Sequence, residues 1–240
     1  MQRVLKWLGI GLGLLVIASI WPAYTLYGEL RKAASEDPLV WEADIAALEA
    51  SSAGLYPPGT PVVFVGSSSI RLWNTLHMDM QPIPVVQHGF GGAKLNDVVH
   101  FADRLVTQLQ PKAVVIFAGT NDIDPRASKA PAVLLASYQA FVEKVTRNDA
   151  QLPIYFINIT PSPLRWEIWP IAQETNALIA QYSAEHDNLH VIDTAPLLLG
   201  ADGTPDADNY VFDGLHLSER GYAHWTQVIR ERLLDDLGPF

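Results

Sequence analysis

The sequence predicts an α/β protein in which helices cover both faces of a parallel β-sheet. Two observations indicate this class: five short apolar segments rich in β-branched residues recur after residue 60, and segments with helical periodicity lie between them. Alternation of strand and helix is typical of parallel sheets with right-handed crossover connections. We therefore expect functional residues at the carboxyl ends of the strands, where such sheets open a crevice.

Each element has its own signal. The predicted strands are VVFVG from residue 62, PVVQHG from 84, KAVVIFAG from 112, PIYFINIT from 153 and LHVID from 189. The predicted helices between them, whose apolar residues recur every three or four positions, cover 95–109, 130–149 and 167–187. A final helix is expected to begin near Ser218, and an amphipathic helix is expected around 41–50.

The amino terminus predicts a transmembrane helix that acts as an anchor. From Trp7 to Tyr27 the chain carries no charge, which is roughly the length that crosses a bilayer core. Aromatic residues near both ends are typical of membrane interfaces, and the basic residues Arg3 and Lys6 predict a cytoplasmic amino terminus with the domain outside the cytoplasm. A cleaved signal peptide, giving a secreted protein, is the alternative.

The predicted organisation has three parts: the anchor at 1–28, a juxtamembrane connection with a helix at 29–60, and one globular domain at 61–240. The net charge of −10 provides no basic surface for phosphates, so nucleic acid is not expected as a partner. Cysteine is absent, which excludes disulfides and thiolate chemistry. The histidines do not pair at metal-ligand spacing, so no metal is expected, and the six other than His216 are expected at surface or helix positions.

Polar residues follow the predicted strands. Ser68 comes after the first strand, Gly92 lies in GFGGAK after the second, Asn121 lies in GTND after the third, and Asp213 and His216 follow the last. Taken singly, each of these segments is better explained as a turn or a helix cap than as part of a catalytic site. Because the carboxyl ends of parallel strands share one edge of the sheet, their joint placement predicts one site.

These residues together meet the needs of acyl transfer. A serine hydroxyl becomes a nucleophile when an imidazole takes its proton and a carboxylate orients that imidazole, which are roles for Ser68, His216 and Asp213. The backbone N–H groups of Ser68 and Gly92 and the side-chain amide of Asn121 can bind the developing oxyanion. Glycine suits position 92 because the absence of a side chain lets the substrate approach the backbone closely.

Four segments resemble the sequence blocks of the SGNH hydrolases, also called the GDSL esterase/lipase family. They are FVGSSSIRLW, GFGGAKLNDV, FAGTNDI and FDGLHLSERGY, in the family's order within roughly residues 60–235. The resemblance implies a flavodoxin-like three-layer α/β/α sandwich with a five-stranded sheet, ester hydrolysis without a cofactor, and the site roles given above. Two departures are Ser67, where many members have aspartate, and QHGFGG, where close relatives often have Asn-Arg before the glycines. The neighbouring Gly91 is the alternative to Gly92 as the backbone donor to the oxyanion.

The substrate is less closely indicated. In TPSPLRWEIWP, Arg165, Trp166 and Trp169 either shape an acyl or sugar pocket or serve in packing. We expect hydrolysis of short-chain acyl or acetyl esters outside the cytoplasm, on a small-molecule, lipid or acylated carbohydrate substrate. The alternatives are a lysophospholipase-type lipid esterase and a non-catalytic, membrane-anchored binding module with the same fold.

Overall fold

A five-stranded parallel sheet forms the centre of the computed structural model, which describes residues 27–125 and 127–240. Its strands are β1 (Val62–Gly66), β2 (Val85–Gly89), β3 (Ala113–Phe117), β4 (Ile154–Ile157) and β5 (Leu189–Ile192). Their spatial order is β2-β1-β3-β4-β5, and every neighbouring pair is parallel. This is the flavodoxin-type strand order, so the predicted α/β class and five-stranded sheet are confirmed.

Helices precede the first strand, occupy the connections between strands and follow the last strand. They are α1 (27–34), α2 (Glu42–Ser52), α3 (Ser68–Arg71), α4 (Leu76–Asp79), α5 (Leu95–Leu105), α6 (Pro131–Val145), α7 (Trp169–Ser183) and α8 (Glu219–Leu237). Turns of 3₁₀-helix cover Pro38–Trp41, Thr107–Leu109, Pro163–Ile168, Ala195–Leu198 and Ala207–Asn209. A short antiparallel pair joins Ile123–Asp124 to Ala127–Ser128. The helices predicted at 95–109, 130–149 and 167–187 are thus present with shorter ends.

The sheet separates two apolar layers. In β1, Val63 and Val65 belong to the core on one face, whereas Val62 and Phe64 belong to the core on the other face. This alternation follows from the period of two in a strand. Because all four side chains are fully buried, each contributes roughly 1.5–3 kcal/mol through the hydrophobic effect. Helices α2, α5, α6 and α7 supply side chains to the first layer, and α3, α4 and α8 to the second.

Helix α8 starts where the sequence predicts, next to the last polar block. The Ser218 hydroxyl accepts a hydrogen bond from the N–H of Gly221 at 3.3 Å, which caps the first turn. Trp225, Ile229 and Leu233, spaced four residues apart, form its buried face. The fixed start of α8 leaves residues 213–217 as a short loop at the carboxyl edge of the sheet.

The residues before the sheet pack into the same core. Trp41 and Ile45 are fully buried, and the Trp41 ring meets Phe90 edge to face with centroids 5.6 Å apart. The predicted anchor lies outside the described residues except for 27 and 28. Within 27–125 and 127–240, no helix combines the length and the apolar character needed to cross a bilayer.

The prediction for His88 was wrong, because this histidine lies on a strand and is fully buried. The His88 side chain is buried in β2 with Nδ1 2.7 Å from the carbonyl oxygen of Leu105, and burial lowers the pKa of His88. On β5, His190 stacks on Tyr155 with ring centroids 4.7 Å apart. In the part of the chain that the structure describes, no group of three or more His, Cys, Asp or Glu is placed to hold a metal.

Candidate active site

The turn after β1 presents Ser68 at the carboxyl edge of the sheet. Gly66 has φ +149°, and a β-carbon there would collide with the backbone of Phe117 on β3, so this position needs glycine. The N–H of Ser67 donates to the carbonyl of Phe117 at 2.9 Å, which ties the turn to the neighbouring strand. Ser68 is then the first residue of α3 and faces the crevice above β1 and β3.

The loop before α8 brings His216 to Ser68. Nε2 of His216 lies 2.9 Å from Oγ of Ser68, and Nδ1 lies 2.6 Å from Oδ2 of Asp213. The other carboxylate oxygen, Oδ1, accepts the backbone N–H groups of Leu215 at 2.9 Å and His216 at 3.0 Å. With Nδ1–H donating to Asp213, the lone pair of Nε2 is free to accept the serine proton. The structure thus joins the three predicted triad residues in one hydrogen-bonded chain.

Asp213 is held in its charged form. Partial burial acts to raise the pKa of this carboxyl. The hydrogen bonds from the His216 ring and from the N–H groups of His216 and Leu215 act in the opposite direction and together outweigh burial. The pKa of Asp213 therefore lies below its ordinary value, and the carboxylate can stabilise a positive charge on the imidazole.

The two predicted oxyanion residues outside the triad line the same cleft as Ser68 and His216. Gly92 has φ +74°, a conformation that L side chains rarely adopt. Nδ2 of Asn121 donates to the carbonyl of Ala93 at 3.0 Å. A side-chain amide carries two N–H donors, so this bond fixes the orientation of Asn121 while leaving a second donor for a ligand.

Asp122 has a structural task that the sequence alone did not assign beyond a turn or a cap. Its side chain is buried; Oδ2 accepts the N–H of Leu95 at 2.8 Å and Oδ1 accepts Nζ of Lys129 at 3.0 Å. Burial raises the pKa of Asp122 despite these bonds. The only sequence signal was an acidic residue directly after Asn121, at a strand end.

The cleft has a small recess and a wide part. The recess lies beside the Ser68 hydroxyl, has a volume of about 10 Å³, and is lined further by Phe117, Thr120, Thr160, Ser162 and Leu215. Among the described residues, neither the Thr120 nor the Ser162 hydroxyl has a hydrogen-bond partner. The wide part has a volume of about 600 Å³, which is within the range of small-molecule sites.

The amino-terminal segment forms one wall of the wide part. Glu29, Leu30, Ala33, Ala34 and Glu36 all line it, opposite Ser68 and His216. Sequence reasoning treated these residues as a connection because GELRKAASED is polar and carries no catalytic motif. Their position near the site comes from tertiary packing, for which no short pattern gives a signal.

The structure separates the three predicted substrate-binding residues. Arg165 lines the wide cleft and donates from Nη1 to the carbonyl of Ile123 at 3.1 Å. Trp166 and Trp169 stack on each other with centroids 6.3 Å apart, and Trp169 packs against the core. Neither tryptophan lines the recess or the wide part of the cleft, and their rings contact each other instead.

A flavodoxin-type sheet with a Ser–His–Asp chain at its carboxyl edge defines the class as that of the SGNH hydrolase fold. The chain belongs to the GDSL-like lipase/acylhydrolase family, whose profile matches residues 58–224. The family resemblance seen in the sequence is therefore confirmed. A search of curated proteins found no significant match.

Solved structures share this fold at low sequence identity. A GDSL-like lipase from Bacteroides thetaiotaomicron is 21% identical with TM-score 0.66, covering 80% of this chain and 98% of that one. A lipase/acylhydrolase from Enterococcus faecalis is 20% identical with TM-score 0.59, covering 75% and 98%. A carbohydrate esterase family 3 protein from Talaromyces cellulolyticus is 16% identical with TM-score 0.59, covering 74% and 98%.

Proposed function

We propose that the protein is a serine esterase that forms an acyl-serine intermediate. The observation that carries the proposal is the unbroken chain from Ser68 Oγ to His216 Nε2 at 2.9 Å and from His216 Nδ1 to Asp213 Oδ2 at 2.6 Å. These distances lie within the range in which a base can take a proton from a nucleophile. Membership of an acylhydrolase family supports ester bonds as the target.

The geometry suggests the following steps. Nε2 of His216 takes the proton as Oγ of Ser68 attacks the ester carbonyl, and Asp213 stabilises the imidazolium. The carbonyl oxygen becomes an oxyanion bound by the N–H groups of Ser68 and Gly92 and by the Asn121 amide. The imidazolium then protonates the departing alcohol. In the second half, His216 takes a proton from water as the water attacks the acyl carbon, and the imidazolium then returns that proton to Oγ of Ser68 as the bond between Oγ and the acyl carbon breaks and the acid leaves.

The recess supports a short acyl group. Its volume of about 10 Å³ corresponds to roughly one water-sized group, which fits an acetyl methyl but not an octanoyl chain. The unpartnered hydroxyls of Thr120 and Ser162 also make this recess polar. The alcohol part of the substrate would then lie in the wide cleft, where Arg165 contributes to the wall.

The proposed location is outside the cytoplasm, with the chain held by its amino-terminal segment. The support is the uncharged stretch from Trp7 to Tyr27 and the basic residues before it. The location can be periplasmic or extracellular, so the test is protease digestion of cells that express the full chain, from which any outer envelope has been removed and in which the cytoplasmic membrane is intact. Cleavage of the domain without lysis is expected, and complete protection would contradict it.

Hydrolysis of p-nitrophenyl acetate, butyrate and octanoate by the wild type and by Ser68→Ala tests the esterase activity. We expect turnover of the acetate and butyrate esters, weaker turnover of octanoate, and loss of turnover in the variant. A preference for octanoate would favour a lipid esterase. A folded wild type without turnover on any ester would favour a binding module, and full activity of Ser68→Ala would exclude Ser68 as the nucleophile.

A further inference from the structure

Four charged side chains connect the amino-terminal segment to the two loops that carry the proposed oxyanion donors. Oε1 of Glu36 lies 2.6 Å from Nζ of Lys94, and Oε2 lies 3.1 Å from Nζ of Lys129. Nζ of Lys129 in turn lies 3.0 Å from Oδ1 of Asp122. We call Glu36, Lys94, Lys129 and Asp122 the bridging network.

Lys94 links this network to Gly92. Its side chain is only 8% exposed, and its ammonium group donates to Glu36 and, at 2.6 Å, to the carbonyl of Ser35. A buried ammonium group is costly unless its donors are satisfied. Both partners belong to residues 35–36, and Lys94 lies only two residues after Gly92. The position of the loop with Gly92 therefore depends on the amino-terminal segment.

Asp122 links the network to Asn121. Its buried carboxylate accepts the N–H of Leu95 at 2.8 Å, and Asn121 itself donates to the carbonyl of Ala93 at 3.0 Å. The loop with Asn121 is therefore bonded twice to the loop with Gly92. A displacement of either loop would move both donors relative to Ser68.

Helix α1 also contacts the Gly92 loop directly. A β-carbon added at Gly92 would lie 2.7 Å from Cβ of Ala33, so α1 packs closely against this glycine. Residues 33–36 therefore support the loop by packing as well as by charge. All of them lie before residue 58, where the family match begins.

We propose that Lys94 and Glu36 are positioning residues that set the locations of the Gly92 N–H and the Asn121 amide through the bridging network. The inference rests on the proposed esterase function. It extends the active site to residues 33–36 and makes turnover depend on a segment directly after the predicted anchor. The residues act through the oxyanion donors and do not contact the reacting atoms.

The test compares Lys94→Met with Lys144→Met in the full chain. Methionine matches the apolar part of the lysine side chain up to Cε, removes only the ammonium group, and leaves Glu36, which is 67% exposed, in contact with solvent and Lys129. We expect Lys94→Met to lower kcat for p-nitrophenyl acetate by about ten- to a hundredfold, because a small displacement of the donors loses transition-state binding. KM should change little, since the loss falls on the transition state.

Lys144→Met is the matched control. Nζ of Lys144 also donates to two backbone carbonyls, those of Val99 at 2.9 Å and His100 at 2.8 Å, and lies 3.5 Å from Asp103. It lies on α6 and does not line the cleft. We expect kcat of this variant to equal that of the wild type; an equal loss in both variants would indicate general destabilisation and overturn the positioning role.

A double-mutant cycle with Asn121→Ala separates positioning from independent effects. If Lys94 acts through the oxyanion donors, its substitution should cost less in the Asn121→Ala background than in the wild type, and the remaining cost should be the part that falls on the Gly92 N–H. Additive losses would overturn the inference. A wild-type kcat in Lys94→Met would also overturn it, while the esterase proposal would stand.

Amide hydrogen exchange keeps the inference testable if the esterase proposal itself fails. No ester turnover by the wild type would overturn that proposal only. The exchange rate of the backbone N–H groups of residues 91–95 then measures how stably the loop is held, and this measurement needs no substrate. Faster exchange in Lys94→Met than in Lys144→Met would support the structural link, and equal exchange would overturn it.

Discussion

The two sides of the cleft are built differently. On the triad side, Asp213 and His216 lie three residues apart, and one tight loop makes all the hydrogen bonds between them. On the oxyanion side, Lys94 reaches Glu36 across 58 residues, and Leu95 reaches Asp122 across 27. The Asp213–His216 pair is a local structure that reaches Ser68, 148 residues away, only through Nε2 of His216, whereas the contacts that hold the proposed oxyanion donors exist only when distant parts of the chain have packed together.

This difference separates two kinds of sensitivity. A local loop such as 213–216 keeps its backbone bonds when a single side chain is changed, so a substitution there should remove chemistry while leaving structure intact. When a substitution removes a long-range contact, the loops that carry the oxyanion donors are displaced but not lost. Such a substitution should therefore reduce activity by smaller and graded amounts. Four substitutions, from the largest expected effect to the smallest, test this contrast.

His216→Ala should cause the largest loss. Without the imidazole, Ser68 has no base, and kcat for p-nitrophenyl acetate is expected to fall by about 10⁵- to 10⁶-fold. Steady-state assays with the full chain would measure the residual rate of ester hydrolysis and compare it with the uncatalysed rate in buffer alone. The thermal unfolding midpoint should remain close to that of the wild type; a large drop would show that His216 also supports the fold and would weaken the contrast.

Asp213→Asn should cost about 10⁴-fold in kcat, because an amide no longer holds the imidazole in the required tautomer. The amide oxygen can still accept the N–H groups of Leu215 and His216, so the loop should keep its shape. Steady-state kinetics beside His216→Ala would rank the two effects. A loss as small as tenfold would mean that the carboxylate contributes little to the orientation of His216.

Asn121→Ala should lower kcat by roughly a hundred- to a thousandfold, the usual cost of removing one oxyanion donor. Its KM should change less than its kcat, because the donor acts mainly in the transition state. Unlike the triad substitutions, this one also removes the bond to Ala93 and can loosen the loop. Full activity would exclude Asn121 from the oxyanion hole.

The features that the sequence predicted are those with local signals. Each of the five strands is a short apolar run, and its position follows from its own residues. Ser68, Asp213 and His216 fall in short motifs at strand ends, and the structure brings them within hydrogen-bonding distance. The flavodoxin-type sheet order was implied by the family resemblance, and the observed order agrees with it.

The features that sequence reasoning missed depend on tertiary contacts. Nothing in the segment GELRKAASED indicates that Ala33 packs on Gly92 or that Glu36 pairs with Lys94. Trp166 and Trp169 were candidates for a pocket because aromatic rings suit both ligands and packing. In the structure their rings stack on each other where the 3₁₀ turn Pro163–Ile168 meets the start of α7, a contact that no short motif predicts.

The smallest expected effect concerns stability and again contrasts the two sides. The pKa of Asp213 is lowered in the folded protein, so the unfolded state binds more protons as pH falls below the ordinary aspartate range. At pH 7, Asp213→Asn should therefore reduce the free energy of unfolding by at most about 1 kcal/mol, and this difference should vanish as pH falls through the folded pKa.

Burial raises the pKa of Asp122, so its contribution has the opposite sign: stability falls as pH rises from the ordinary range through the folded pKa. Urea unfolding of the wild type, Asp213→Asn and Asp122→Asn between pH 3 and 7 would measure both slopes, and slopes of the same sign would contradict the electrostatic difference between the local and the long-range side.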